Sequence, residues 1–163
     1  MLKDIRTHGR KARGQYFAIV ASRYNARYVD AMLREARRVL SRAGAARVLV
    51  VRVPGAFEIP VVAAALAGAE EPPSALICLG VILRGETTHA QHIGEAVTQA
   101  LVQVQITHLV PVIHEVLLLE NEAQAKVRCL DKKHNRGAEA ADTAIAMAQT
   151  MRQIWTVNKF PVL

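Results

Sequence analysis

Arg84-Gly-Glu-Thr-Thr-His89 sets a histidine directly after a glycine, a carboxylate and two hydroxyls, where an apolar run gives way to a helical pattern. Unpaired N–H groups at a helix start, together with the positive end of its dipole, suit a phosphate. An imidazole beside them can stay neutral and move protons. Glu86 opposes this reading, because its carboxylate would repel a phosphate unless only its backbone faced the site. Countercharge must come from elsewhere, and Arg128, Lys132, Lys133 and Arg136 form the best source in the chain. His89 also lines up with Ile93 and Val97, which is the spacing of a satisfied core histidine. His92 makes an i, i+3 pair with it, but no Glu or Cys completes a zinc set.

A second group is aromatic. Only 4% of the chain is Phe, Tyr or Trp, yet Tyr24 and Phe57 both fall on loops that follow apolar runs. There they could wall a flat heterocycle or simply pack loop ends. Asn25 and Glu58 beside them offer hydrogen bonds to ring or polyol groups, with a helix cap as the alternative role for Asn25.

These residues need elements to hold them. Strand-like runs cover residues 16–21, 48–53, 75–79 and 110–117, and the third leads into a glycine-containing turn from Gly80. Helical patterns follow over residues 28–43, 59–67, 88–106, 121–129 and 137–154. The first carries Val29, Met32, Leu33, Ala36, Val39 and Leu40 on one stripe with its arginines opposite; Ile93, Val97, Ala100, Leu101 and Val104 repeat that pattern later. Regular alternation of strand and helix implies right-handed crossovers and a parallel sheet covered on both faces. The expected fold is a flavodoxin-like three-layer α/β/α sandwich on a four-stranded parallel sheet. In such sheets ligands bind beyond the carboxyl ends of the strands, and three of the four loops there are rich in polar or aromatic handles, so one site at that end is expected.

The 163 residues fit one domain, expected over residues 16–154, between a basic leader of residues 1–15 and a tail of residues 155–163 without helical period. Hydrophobic residues make up 52%, so the core is aliphatic. Cys78 and Cys129 lack CxxC spacing and read as reduced, structural thiols of a cytoplasmic protein. No run reaches the roughly 18 apolar residues of a membrane span. The formal charge of +7 comes largely from the leader and from Arg34, Arg37, Arg38 and Arg42 on one helix. With no interleaved aromatic residues, nucleic acid is not the expected partner.

Ser22-Arg-Tyr-Asn25, Val53-Pro-Gly-Ala-Phe-Glu-Ile-Pro60, Gly80-Val-Ile-Leu-Arg-Gly-Glu-Thr-Thr-His89, Glu120-Asn-Glu-Ala-Gln124 and Asn135-Arg-Gly-Ala-Glu-Ala-Ala141 together resemble the lumazine synthase family, in family order. The resemblance implies condensation of 5-amino-6-ribitylaminopyrimidinedione with 3,4-dihydroxy-2-butanone 4-phosphate, using neither metal nor organic cofactor. It assigns Tyr24 to stacking on the pyrimidine, and Asn25, Ala56, Phe57 and Glu58 to the ribityl chain and ring edge, with Leu83 nearby. Gly85, Glu86 and Thr87 would hold the phosphate, joined by Arg128 of an adjacent subunit, and His89 would move protons. It further implies a homopentamer, and some members assemble twelve pentamers into an icosahedral shell. Three departures stand out. His114, followed by Glu115, replaces an apolar residue of the pyrimidine wall; Arg136 replaces a common lysine; Leu118-Leu119 replaces a common Thr-Thr pair. A non-catalytic flavin or lumazine binder, and a shell protein whose leader holds polyanionic cargo, are the competing readings.

Overall fold

The computed structural model describes residues 11–157. Four parallel strands, β1 (Tyr16–Ser22), β2 (Arg47–Val53), β3 (Ala75–Leu83) and β4 (Val112–Leu119), form one sheet in the order β2-β1-β3-β4. Helices α1 (Ala26–Arg42), α2 (Ile59–Ala67), α3 (His89–His108), α4 (Glu122–Ala125) and α5 (Arg136–Val157) connect or cover them, and a π-helical turn, Lys126–Leu130, follows α4. This is the expected three-layer sandwich.

The two-residue period of the strands divides the core. Phe17, Ile19 and Ala21 of β1, with Ala75, Ile77, Leu79 and Val81 of β3, face α1, α5 and the π-turn. Ala18, Val20, Leu76 and Cys78 face α2 and α3 on the other side. Val29, Met32, Ala36 and Leu40 of α1 are fully buried, as its stripe predicts, while Val97, Leu101 and Val104 anchor α3. Gly137 is where α5 crosses α1: a Cβ there would lie 2.0 Å from the Met32 carbonyl oxygen.

Several boundaries differ from expectation. Strand β3 does not turn at Gly80 but runs on through Val81, Ile82 and Leu83, paired with Leu117, Leu118 and Leu119 of β4. Gly80 instead makes room for packing, since a Cβ would meet Val116 at 3.0 Å and Ile59 at 3.3 Å. Pro111 has no N–H for a ladder, so β4 begins at Val112 and ends two residues later than expected. Ala12 is buried and donates its N–H to the Ala43 carbonyl, and Arg13 bridges Ala45, so this part of the expected leader lies on the sandwich. Helix α5 continues through Trp155 to Val157, into the expected tail. Residues 1–10 and 158–163 lie outside the described residues. No described helix is long and apolar enough to cross a membrane.

Candidate active site

The loops after β1 and β2 are laced into one unit. Arg23 N–H donates to the Val53 and Pro54 carbonyls, and Tyr24 N–H donates to the Pro54 carbonyl at 3.1 Å. Gly55 lets the Tyr24 ring lie against this loop: a Cβ would stand 3.1 Å from the ring and 2.9 Å from Glu58 Oε2. Its N–H is held by that carboxylate at 2.8 Å, which fixes Glu58 at the start of α2. Tyr24 and Phe57 are left 70% and 62% exposed, too much for residues serving only to pack loop ends. Ala56, by contrast, is buried in the α2 and α3 core.

Asn25 adopts φ 56°, the left-handed region that Asn tolerates better than most residues. It stands at the cap position of α1 without capping it. Its Nδ2 donates instead to the Val81 carbonyl at 2.7 Å and ties the β1 loop to β3.

The register sets the separation between this edge and the turn carrying His89. Ala21 pairs with Leu79, so β3 runs three residues past the level of Ser22, about 10 Å along the strand direction. Leu83 closes β3, half-buried toward α1 and α5. Beyond it, residues 84–89 are all exposed. Thr88 stands at the N-cap of α3 and makes no side-chain hydrogen bond to its first turn. Backbone donors at the head of a 20-residue helix therefore face outward with no side chain in their place. His89 lies in that exposed first turn and not in the core stripe.

Two of the arginines are already engaged. Arg84 Nε pairs with Glu120 Oε2 at 3.0 Å, bracing the turn against the end of β4. Arg136 grips buried Glu115 with Nε and Nη2, both at 3.0 Å, and also reaches Glu139. Arg136 is thus removed from the candidate countercharges. Burial pushes the Glu115 carboxyl up to about 7, against the opposing pull of Arg136. Arg128 is exposed on the π-turn, and among the described residues no hydrogen bond or ion pair joins it to residues 84–88 of its own chain.

His114 is not brought to this edge. It pairs with Cys78, five residues short of Leu119 and so about 16 Å back along β4. Val116 N–H donates to Nδ1, which leaves Nε2–H of the neutral ring to donate to Thr98 Oγ1 at 2.8 Å, and Thr98 in turn donates to the Gly94 carbonyl. Burial holds its pKa below the usual imidazole range. Thr98 lines a groove of about 460 Å³ with Arg84, Gln91, Glu95, Val116 and Leu118, along the unpaired edge of β4. Cys78 and Cys129 are buried and unpaired, with burial raising them to about 12 and about 11. Asn135, which the sequence reading passed over, is buried and hydrogen-bonded through both ends of its amide. Its signal was present: an Asn directly before a helix is a strong cap candidate.

The fold is that of a flavodoxin-like α/β protein, with the exposed aromatic residues and the uncapped start of α3 on loops beyond the carboxyl ends of its parallel strands. The chain belongs to the 6,7-dimethyl-8-ribityllumazine synthase family, whose model matches residues 14–152. It is 40% identical over 140 residues to the 6,7-dimethyl-8-ribityllumazine synthase of Stenotrophomonas maltophilia (strain R551-3), covering 85% of this chain and 90% of the relative. Identity to the enzyme of the same name from Mycolicibacterium gilvum (strain PYR-GCK) is 44% over 139 residues, covering 84% and 86%. For that of Kineococcus radiotolerans it is 42% over 143 residues, covering 86% and 88%.

Proposed function

We propose that this chain is a transferase of riboflavin biosynthesis that makes 6,7-dimethyl-8-ribityllumazine, with Tyr24 to Glu58 and Gly85 to His89 as the two halves of one substrate site. The observation that carries the reading is the open start of α3, with His89 in its first turn, standing on the same end of the sheet as two exposed aromatic rings. The offset of about 10 Å between them leaves room for the condensing carbon skeleton. Tyr24 and Phe57 flank the pyrimidine, Asn25 and Glu58 meet its edge and ribityl chain, and Ala56 and Leu83 bound the pocket.

At the other half, Gly85, Glu86 and Thr87 present backbone and hydroxyl donors to the phosphate of the butanone. Arg84 and Arg136 are spent on Glu120 and Glu115, and the family resemblance gives the role of balancing this phosphate to Arg128 of a neighbouring copy. The amine of the pyrimidine attacks the ketone and water leaves as the Schiff base forms; phosphate is then eliminated, and the ring closes as the ribityl-bearing nitrogen adds to the remaining carbonyl and a second water leaves. His89 relays protons through these steps. Most of the rate comes from holding the two substrates in register, a contribution that needs no residue of unusual reactivity.

A site shared between copies requires an oligomer, and the family resemblance favours a homopentamer in the cytoplasm; whether pentamers go on to form a shell is read by the native mass. Val61 on α2, Val102 and Ile106 on α3, and Leu109 beyond it are more than half exposed. That surface also carries His114, whose place in the pyrimidine wall would likewise be reached from a second copy.

Lumazine absorbance should appear when purified protein is mixed with both substrates, and His89→Ala should slow it by about 100-fold to 10,000-fold without unfolding the chain. No lumazine from the folded protein would overturn the activity. Unchanged single-turnover rates in the variant would remove His89 from the mechanism.

A further inference from the structure

A π-helical turn is rare, and its backbone is one residue wider than an α-helix, so something must hold it in place. At the near end of Lys126–Leu130, Asn121 caps the preceding helix by accepting the Gln124 N–H at 3.0 Å, and Gln124 Oε1 accepts the Glu120 N–H. The turn itself closes when Asp131 N–H donates to the Lys126 carbonyl at 3.2 Å. At the far end stands Asn135, only 4% exposed. Its Nδ2 donates to the Cys129 carbonyl, while its Oδ1 accepts the Gly137 N–H at 2.9 Å and the Ala138 N–H at 3.4 Å.

We infer that Asn135 is a positioning residue for the phosphate half of the site, its amide locking the π-turn so that Arg128 stands at a fixed place and angle. This rests on the assignment of Arg128 to phosphate made above. One side chain joins the carbonyl next to Arg128 to the first turn of α5, and α5 cannot yield there. Gly137 is pressed against the Met32 backbone of α1, and Arg136 is clamped by Glu115 of β4. Position is thus passed from the sandwich core through α5 and Asn135 to the Cys129 carbonyl, leaving only the Arg128 side chain free. An arginine that serves a neighbouring copy gains most from such a frame, since among the described residues no hydrogen bond or ion pair holds its side chain.

Asp and Asn differ here in a useful way. Asn135→Asp keeps the oxygen that caps α5 but sets a second oxygen against the Cys129 carbonyl, so the helix start survives and the lock is lost. Steady-state kinetics on the full chain with both substrates, alone and combined with Arg128→Ala, reads the difference. Asn135→Asp should keep a cooperative melt, raise KM for the butanone phosphate roughly tenfold, leave KM for the pyrimidine unchanged, and add nothing on top of Arg128→Ala. A wild-type KM in the folded variant, equal loss for both substrates, or additivity with Arg128→Ala overturns the inference. If Asn135→Asp does not fold, Asn135→Ser, whose shorter hydroxyl caps α5 without spanning to Cys129, is read in the same way. Should Arg128→Ala itself leave the phosphate KM untouched, the phosphate assignment falls and this inference falls with it; if only Asn135→Asp is silent, the assignment stands.

Discussion

Gly85 is kept by neither its backbone angle nor its packing. Its φ lies outside the left-handed region, and a Cβ there would meet nothing within 4 Å. Within one folded chain, alanine would serve as well. What a glycine does there is leave the backbone N–H groups open to approach from outside, as the proposed phosphate site requires. Gly85→Ala should leave thermal stability within about 0.5 kcal/mol of wild type. It should also raise KM for the butanone phosphate roughly tenfold, the weight of about one charge-assisted hydrogen bond at about 1.5 kcal/mol. Identical substrate constants would mean that the ligand keeps away from this backbone. Gly55 is the opposite case, required by its own chain because Tyr24 and Glu58 occupy the space a Cβ would need.

At the scale of elements, the Glu115–Arg136 pair joins β4 to α5 beneath the π-turn. Glu115 titrates near 7 when folded against an ordinary value of 4.5, with burial as the main cause. Between those values the folded chain keeps a proton that the unfolded chain has released, so stability falls as pH rises through this window and levels off above it. Urea midpoints of wild type and Glu115→Gln across that range check this: the variant should show the flatter profile, and parallel profiles would place the titration on another group. Much of this layer was legible beforehand. The stripe of α1 follows directly from its helical period, and β1 and β2 from their unbroken aliphatic runs, which a sheet covered on both faces allows. The end of β3 did not, since a glycine reads as a turn until the Ile59 side chain that needs its space is in view. Nor did the Glu115–Arg136 contact, which joins residues 21 positions apart and depends on tertiary packing. The candidate site was readable as loop membership, because strand order carries every loop after a strand to one end of the sheet. His114 escaped that logic by sitting mid-strand.

For the whole molecule, a single chain provides the ring edge and the phosphate turn but spends two of its nearby arginines internally. On the proposed pentamer, whose site is shared between copies, native mass measurement should find five-chain multiples and no appreciable monomer at working concentrations. A monomer with full activity would show that the site is complete within one chain. The net charge of +7 is not needed to bind one phosphate, and much of it lies on α1, away from the proposed site. Apolar side chains at Val61, Val102 and Ile106 are the surface that assembly would cover.

The overshoot of β3 past β1 carries a consequence for how this site can vary among related chains. Strand length behaves as a graduated scale with a fixed mark spacing. Adding one residue to β3 just before Leu83 would advance the turn by about 3.3 Å but swap the faces of every side chain beyond the insertion, pulling Leu83 out of the core. Two residues would restore the faces at the cost of about 7 Å, roughly the width of a sugar or pyrimidine ring. The gap between the aromatic edge and the phosphate turn can therefore change only in steps as large as a substrate fragment, and fine adjustment is left to the loops at either end.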